Sequence, residues 1–195
     1  LAEADLMLAH YKDALQILEI VGMQAEAQAQ ITTDFSNQLF RSLMLKANAQ
    51  QSMGFIDTCH RTVKQAFDLV DTQTYTDSAT LAQLHMVKAK LDIDMGKDGA
   101  AQESLTEALR IFEEKSLPLW KARAQQLAGE LLLQRGQLIQ GRDLIDQSIM
   151  LRGELQLKRH PDWADALDGM AALLILSGNL GAPLSLVDKA QNIRF

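Results

Sequence analysis

Cysteine is nearly missing from this chain of 195 residues: it holds one, Cys59. That excludes an internal disulfide and fits a reducing compartment such as the cytoplasm. Proline is almost as scarce, at three, and aromatic residues make up only 5%. β-Branched and aromatic runs are few, which argues against strands. No apolar run approaches the roughly 20 residues that span a bilayer, so membrane insertion is not expected. No signal-peptide pattern is visible either. A basic surplus is also lacking, since 19 Lys and Arg stand against 25 Asp and Glu, a net charge of -6. The basic residues are scattered, and an acidic chain repels phosphate backbones, so nucleic acid is not expected as a partner.

What is present is hydrophobic content of 47%, too much for a disordered chain, with abundant Ala, Leu, Gln, Glu and Lys. These are helix formers. The stretch "DMGKDGAAQESLTEALRIF" (94–112) places a glycine between two helical runs, as a junction between two packed helices requires. The pattern recurs. Gly54, Gly96, Gly136 and Gly178 each follow one helical run and precede another, at spacings of 42, 40 and 42 residues. A step of 45 backwards reaches Ala9, a weaker match.

Other columns keep step with these anchors. Seven residues before them stand Ala47, Ala89, Gly129 and Ala171. Five after stand Cys59, Ala101, Gly141 and Pro183, with Ala14 in the first copy. Nine after stand Val63, Leu105, Ile145 and Val187, preceded by Leu18. Twelve after stand Ala66, Ala108, Ser148 and Ala190, with Val21 at the first. Glycine at the anchor supplies the left-handed residue that ends one helix. Small residues on both sides let two antiparallel helices approach closely. The aliphatic and small residues that follow share one face of the second helix.

This ladder resembles the tetratricopeptide repeat (TPR) family, most fully in Ala89, Gly96, Ala101, Leu105 and Ala108. The family's usual period is about 34 residues. The longer period here is similar to the kinesin-light-chain type, as is the stretch "RHPDWADALDGMAALLILSGN" (159–179). The columns alone do not separate it from other helical-hairpin repeats of similar period. The resemblance implies an all-α fold, an α-solenoid of antiparallel helix pairs with about 4.5 repeats of 40–45 residues.

The expected layout is one repeat domain over 1–195, with a partial repeat at 1–22 and hairpins at 34–70, 77–114, 119–157 and 162–195. Helices are expected at 2–9, 11–21, 34–53, 56–70, 77–95, 98–114, 119–135, 138–152, 162–177 and 181–193. Thr33, Asp77 and Asp162 are expected N-caps. Pro183 fits the first turn of the last helix. Both ends are apolar and carry no polar cap. The chain is therefore read as part of a longer protein, with self-association through uncapped ends expected.

Chemistry has little foothold. His10, His60, His85 and His160 are never three or four apart, so no helical metal site is formed. The "GKDG" at 96–99 has neither the preceding strand nor the full spacing of a phosphate loop. Ser104 and Ser148 have no base placed nearby in the sequence, and Cys59 occupies a packing column. No enzyme, metal or cofactor is expected.

The resemblance implies that the first helix of each hairpin lines a concave groove. The groove residues it implies are Arg41, Met44, Asn48 and Gln51, then Gln83, Met86, Lys90 and Ile93. Arg123, Gln126, Glu130 and Leu133 follow, then Asp165, Asp168, Ala172 and Ile175. The groove runs from polar-basic with methionine to acidic. Asn48 and Arg123 match part of the family's carboxylate clamp, but Met44 and Val87 stand where a lysine and an asparagine belong, so chaperone-tail binding is not expected. The implied function is a non-catalytic scaffold that binds a protein or peptide segment within a larger signalling protein. The alternative is a sensor domain that a small ligand or signal peptide switches.

Overall fold

The structure is a computed structural model that describes residues 12, 13, 15–20, 23, 33–72, 78–155, 161–176, 178 and 183–194. Side chains at 33–36, 71, 72, 161, 162, 165, 176 and 194 lie outside the description. Residues 12, 13 and 15–20 are helical, in line with the second expected helix, whereas the first, at 2–9, lies outside the described residues.

Eight further helices follow among the described residues. They are α1 (Thr33–Ser52), α2 (Ile56–Thr72), α3 (Ser78–Asp94) and α4 (Asp98–Glu114). Then come α5 (Pro118–Gln134), α6 (Leu138–Glu154), α7 (Pro161–Leu176) and α8 (Pro183–Arg194). The three prolines of the chain, Pro118, Pro161 and Pro183, each open a helix. Proline lacks an N–H, and the first helical N–H has no intrahelical partner, so nothing is lost there. Asp162, expected as an N-cap, consequently lies inside α7, and Thr33 is the first residue of α1. Asp77 lies outside the described residues.

The anchor glycines end their helices as their spacing implies. Gly54, Gly96, Gly136 and Gly178 have φ of 73°, 68°, 75° and 80°. The Gly96 N–H donates to the Ile93 carbonyl at 2.9 Å, and the Lys97 N–H to the Asp92 carbonyl at 2.7 Å. This pair of bonds satisfies carbonyls that the helix end would otherwise leave orphaned. The same pair recurs at Gly54–Phe55 and Gly136–Gln137. It also recurs at Ser116–Leu117 after α4, where Ser116 holds φ 52° without being glycine.

The chain forms two compact units, Leu1–Ser104 and Leu105–Phe195. In the first, α1 packs on α2, and both pack on α3. Its core joins Leu39, Phe40, Leu43 and Ala47 of α1 to Cys59, Val63 and Ala66 of α2 and to Leu84, Val87 and Leu91 of α3. At the α1–α2 crossing the Cys59 thiol donates to the Ala47 carbonyl at 3.3 Å, a contact that larger residues would prevent. In the second unit α5 packs on α6, α7 on α8, and α7 also on both α5 and α6. Gly129 and Gly141 meet backbone to backbone there. A Cβ on Gly129 would stand 2.8 Å from the Gly141 carbonyl oxygen, and one on Gly141 would stand 2.8 Å from that of Gly129.

The small column twelve after each anchor, Ala66, Ala108, Ser148 and Ala190, is 0% exposed throughout. In the aliphatic column Val63, Leu105 and Ile145 are buried, whereas Val187 is only partly so. One buried side chain has no counterpart in the sequence reading. Arg152 of α6 is 1% exposed, and its guanidinium donates to the Ser148 hydroxyl one turn earlier.

Candidate functional site

Within each unit the first helices of the two hairpins lie side by side. In the first unit the Gln51 amide at the end of α1 donates to the Asp94 carboxylate at the end of α3, at 2.9 Å. In the second, a Cβ on Gly169 of α7 would meet the Gln126 amide nitrogen of α5 at 3.2 Å. Both pairs are separated by 43 residues in the chain. Residues one period apart are therefore neighbours, and each unit presents a two-helix face.

On the α1–α3 face, Arg41, Asn48 and Lys90 are exposed, and Gln83, Met86 and Ile93 are half-buried. Met44 is only 6% exposed and Gln51 9%. Met44 belongs to the core, and its sulfur accepts from the Asn48 amide at 3.2 Å. Gln51 is occupied by Asp94. These two stabilise the face from below, and the exposed polar atoms above belong to Arg41, Asn48 and Lys90.

On the α5–α7 face, Arg123, Gln126, Glu130, Asp168 and Ala172 are half-buried, Leu133 is buried and Ile175 is exposed. The side chain of Asp165 lies outside the described residues. The Arg123 guanidinium sits over the Trp120 ring, 4.5 Å from its centroid. Trp120 in turn stacks on Phe112, with centroids 6.1 Å apart. A guanidinium held on an aromatic ring is oriented before any ligand arrives. Gln126 donates to the Glu130 carboxylate at 2.9 Å, which fixes a turn of α5. Basic and acidic groups thus share this face.

Folding brings together one polar group that spacing did not reveal. The Lys88 ammonium donates to Asp92 at 2.7 Å and to the Ser104 hydroxyl at 3.0 Å. Ser104 therefore does have an amine beside it, contrary to the sequence reading. The pairing fits structure better than catalysis, because an ion-paired ammonium donates to the hydroxyl and takes no proton from it. Lys88 and Asp92 are one helical turn apart, a spacing that could have suggested the ion pair. Nothing in the sequence marks Ser104 as its third member.

Cys59 is 0% exposed, and burial, with a smaller contribution from Asp94, pushes its thiol up to about 11. That is the opposite of an activated nucleophile. Among the described residues no group of three or more His, Cys, Asp and Glu is placed to hold a metal ion, and no helix is long and apolar enough to cross a membrane.

No family model matches the chain, and no curated protein matches it. Solved structures do. BtubC (BKLC) from P. vanneervenii superposes with a TM-score of 0.72 at 14% identity, over 94% of this chain and 73% of that one. A substituted form of a Podosopora anserina protein named for kinesin light chain, with nearly identical TPR-like repeats, gives 0.65 at 15% identity, over 96% and 91%. MamA protein gives 0.51 at 11%, over 94% and 93%. At these identities the likeness is one of fold, and it agrees with the glycine anchors, the small-residue crossings and the 43-residue neighbour relation. The chain has the fold of the TPR-like helical repeats, an all-α solenoid of antiparallel helix pairs.

Proposed function

We propose that this chain is a non-catalytic protein-interaction module that reads a peptide segment or helix on the faces of its first helices, within a larger signalling or regulatory protein. The observation that carries this reading is the side-by-side placement of α1 with α3 and of α5 with α7, one period apart. Rigid parallel helices set polar side chains in rows at fixed spacing, as recognition of a repeating backbone requires. The rows carry Arg41, Asn48 and Lys90 in one unit and Arg123, Gln126, Glu130 and Asp168 in the other. Mixed charge favours a mixed-charge peptide over nucleic acid, as does the net charge of -6.

The test is selection of peptides from a display library on the immobilised chain, followed by titration of the selected peptides. The comparison is a variant with Arg41→Ala, Lys90→Ala and Arg123→Ala. Retained helicity with binding weakened about tenfold or more supports the faces as the site. Equal binding by both proteins assigns the interaction elsewhere.

A sensor function is the second reading. A recess between α2 and α3 favours it, since a ligand there would touch two successive hairpins.

A further inference from the structure

A recess of about 300 Å³ opens in the first unit, between α2 and α3. Its apolar wall is Val63, Phe67 and Leu91. Val63 and Leu91 are core residues, 4% and 1% exposed, so this wall is fixed by the packing of the unit. Phe67 also packs edge on against the His85 ring, with centroids 5.1 Å apart.

The polar part of the lining is His60, Lys64, Lys88 and Asp92. Asp92 is 6% exposed, and its carboxylate holds the Lys88 ammonium, which Ser104 steadies from α4. An ammonium has three N–H donors, and these two acceptors take two of them. Lys64 and His60 are exposed one turn apart on α2. Two lysines thus line the recess against one carboxylate, a local positive excess in a chain whose net charge is -6.

We propose that this recess binds a small organic monocarboxylate, its compact apolar body on Val63, Phe67 and Leu91 and its carboxylate between Lys64 and Lys88. The chemistry selects each part. An amine would face two ammonium groups. A neutral apolar molecule would gain no charge-assisted contact from either lysine. The volume lies at the small end of the range for ligand pockets, about 300–1,000 Å³, which suits a compact ligand better than a nucleotide or a long acyl chain. α2 closes one hairpin and α3 opens the next, so the ligand would bind across both and stabilise their stacking by mass action. The site shares no residue with the interaction faces and does not depend on them.

The experiment uses the whole chain and 4-phenylbutyrate as probe, read by calorimetric titration and by the shift of the thermal midpoint. Saturable binding is expected, with methyl resonances of Val63 and Leu91 moving on titration. 4-Phenylbutyramide and 4-phenylbutylamine should bind about tenfold more weakly or worse, as loss of a charge-assisted contact predicts. Lys64→Glu reverses an exposed charge, so the fold should persist by circular dichroism while affinity falls about tenfold or more. Arg41→Ala with Lys90→Ala should leave binding of the probe unchanged even if peptide binding is lost. No saturation up to about 10 mM overturns the proposal. So does equal affinity for the amide, or indifference to Lys64→Glu. N-Acetylphenylalanine binding about tenfold tighter than 4-phenylbutyrate would make a peptide terminus the source of the carboxylate and overturn the small-molecule assignment.

Discussion

Gly129→Ala sets two well-measured tendencies against each other. Helix propensity alone predicts a gain, because alanine is favoured over glycine inside a helix by about 1 kcal/mol. The tertiary geometry predicts a loss. The new methyl carbon would lie 2.8 Å from the Gly141 carbonyl oxygen and 2.7 Å from Cγ1 of Ile145. Ile145 is a buried side chain with little room to turn, and the carbonyl is backbone that cannot swing away. Ordinary contact requires α5 and α6 to part by roughly 0.6 Å at the crossing, which forfeits about a quarter to a half of the dispersion energy of the atoms that separate. Overpacking of this kind costs about 1–3 kcal/mol, and backbone-to-backbone contact belongs at the upper end. The net expectation is destabilisation by about 2 kcal/mol, a fall of roughly 5 °C in thermal midpoint for a chain of this size.

The assay is thermal and urea unfolding followed by far-UV circular dichroism. Gly153→Ala is the control. Gly153 lies in the last turn of α6, and an added Cβ there meets nothing within 4 Å, so the midpoint should rise by up to a few degrees. Gly129→Ala with Gly141→Ala should cost less than the two singles together, since one opening of the crossing relieves both contacts. A Gly129→Ala variant that unfolds at or above the parent's temperature would refute the close approach, and with it the role given to the small-residue columns.

Three further outcomes follow from the same geometry. Ser116 holds φ 52° at a turn where the hairpin anchors use glycine, so Ser116→Gly should stabilise by about 1 kcal/mol and Gly96→Ala should destabilise by about 1–2 kcal/mol, read from urea midpoints. Phe40 is 0% exposed in the core of the first unit, so Phe40→Ala should cost about 3–5 kcal/mol, and a loss below about 1 kcal/mol would contradict its placement. The Cys59 thiol, raised to about 11 from 9.0, keeps its proton in the folded chain while the unfolded chain has lost it. Its contribution is therefore complete below about pH 9 and is lost as pH rises through about 11. Urea midpoints at pH 8 and pH 10 should fall further for the parent than for Cys59→Ala, and Ellman's reagent should label the thiol only on unfolding.

The hairpin turns were legible because they are local. A left-handed residue at a helix end selects glycine by sterics within a few bonds, so Gly54, Gly96, Gly136 and Gly178 announce the turns wherever the rest of the chain lies. The crossings were legible because two helices of one hairpin meet at a fixed distance from their turn. Ala47 with Cys59, and Gly129 with Gly141, stand seven before and five after the anchor in both units. The helices expected from 119 and 162 start one residue earlier, at Pro118 and Pro161, because proline's preset φ suits the first helical position.

The face and the recess were legible only in outline. The family resemblance implied Met44 beside Arg41 as equals, yet Met44 is turned into a core and Arg41 is exposed, a division set by what packs beneath α1. Likewise the Gln51–Asp94 bond, the buried Arg152 and the junction of Lys88, Asp92 and Ser104 depend on side chains meeting across helices or under a neighbouring layer. The sequence by itself determined the period, the helix pairs and the turns, because backbone sterics and residue size act over short chain distances. Only the tertiary structure decided which polar groups are exposed, which are paired and where a recess remains, because those depend on contacts between residues far apart in the chain.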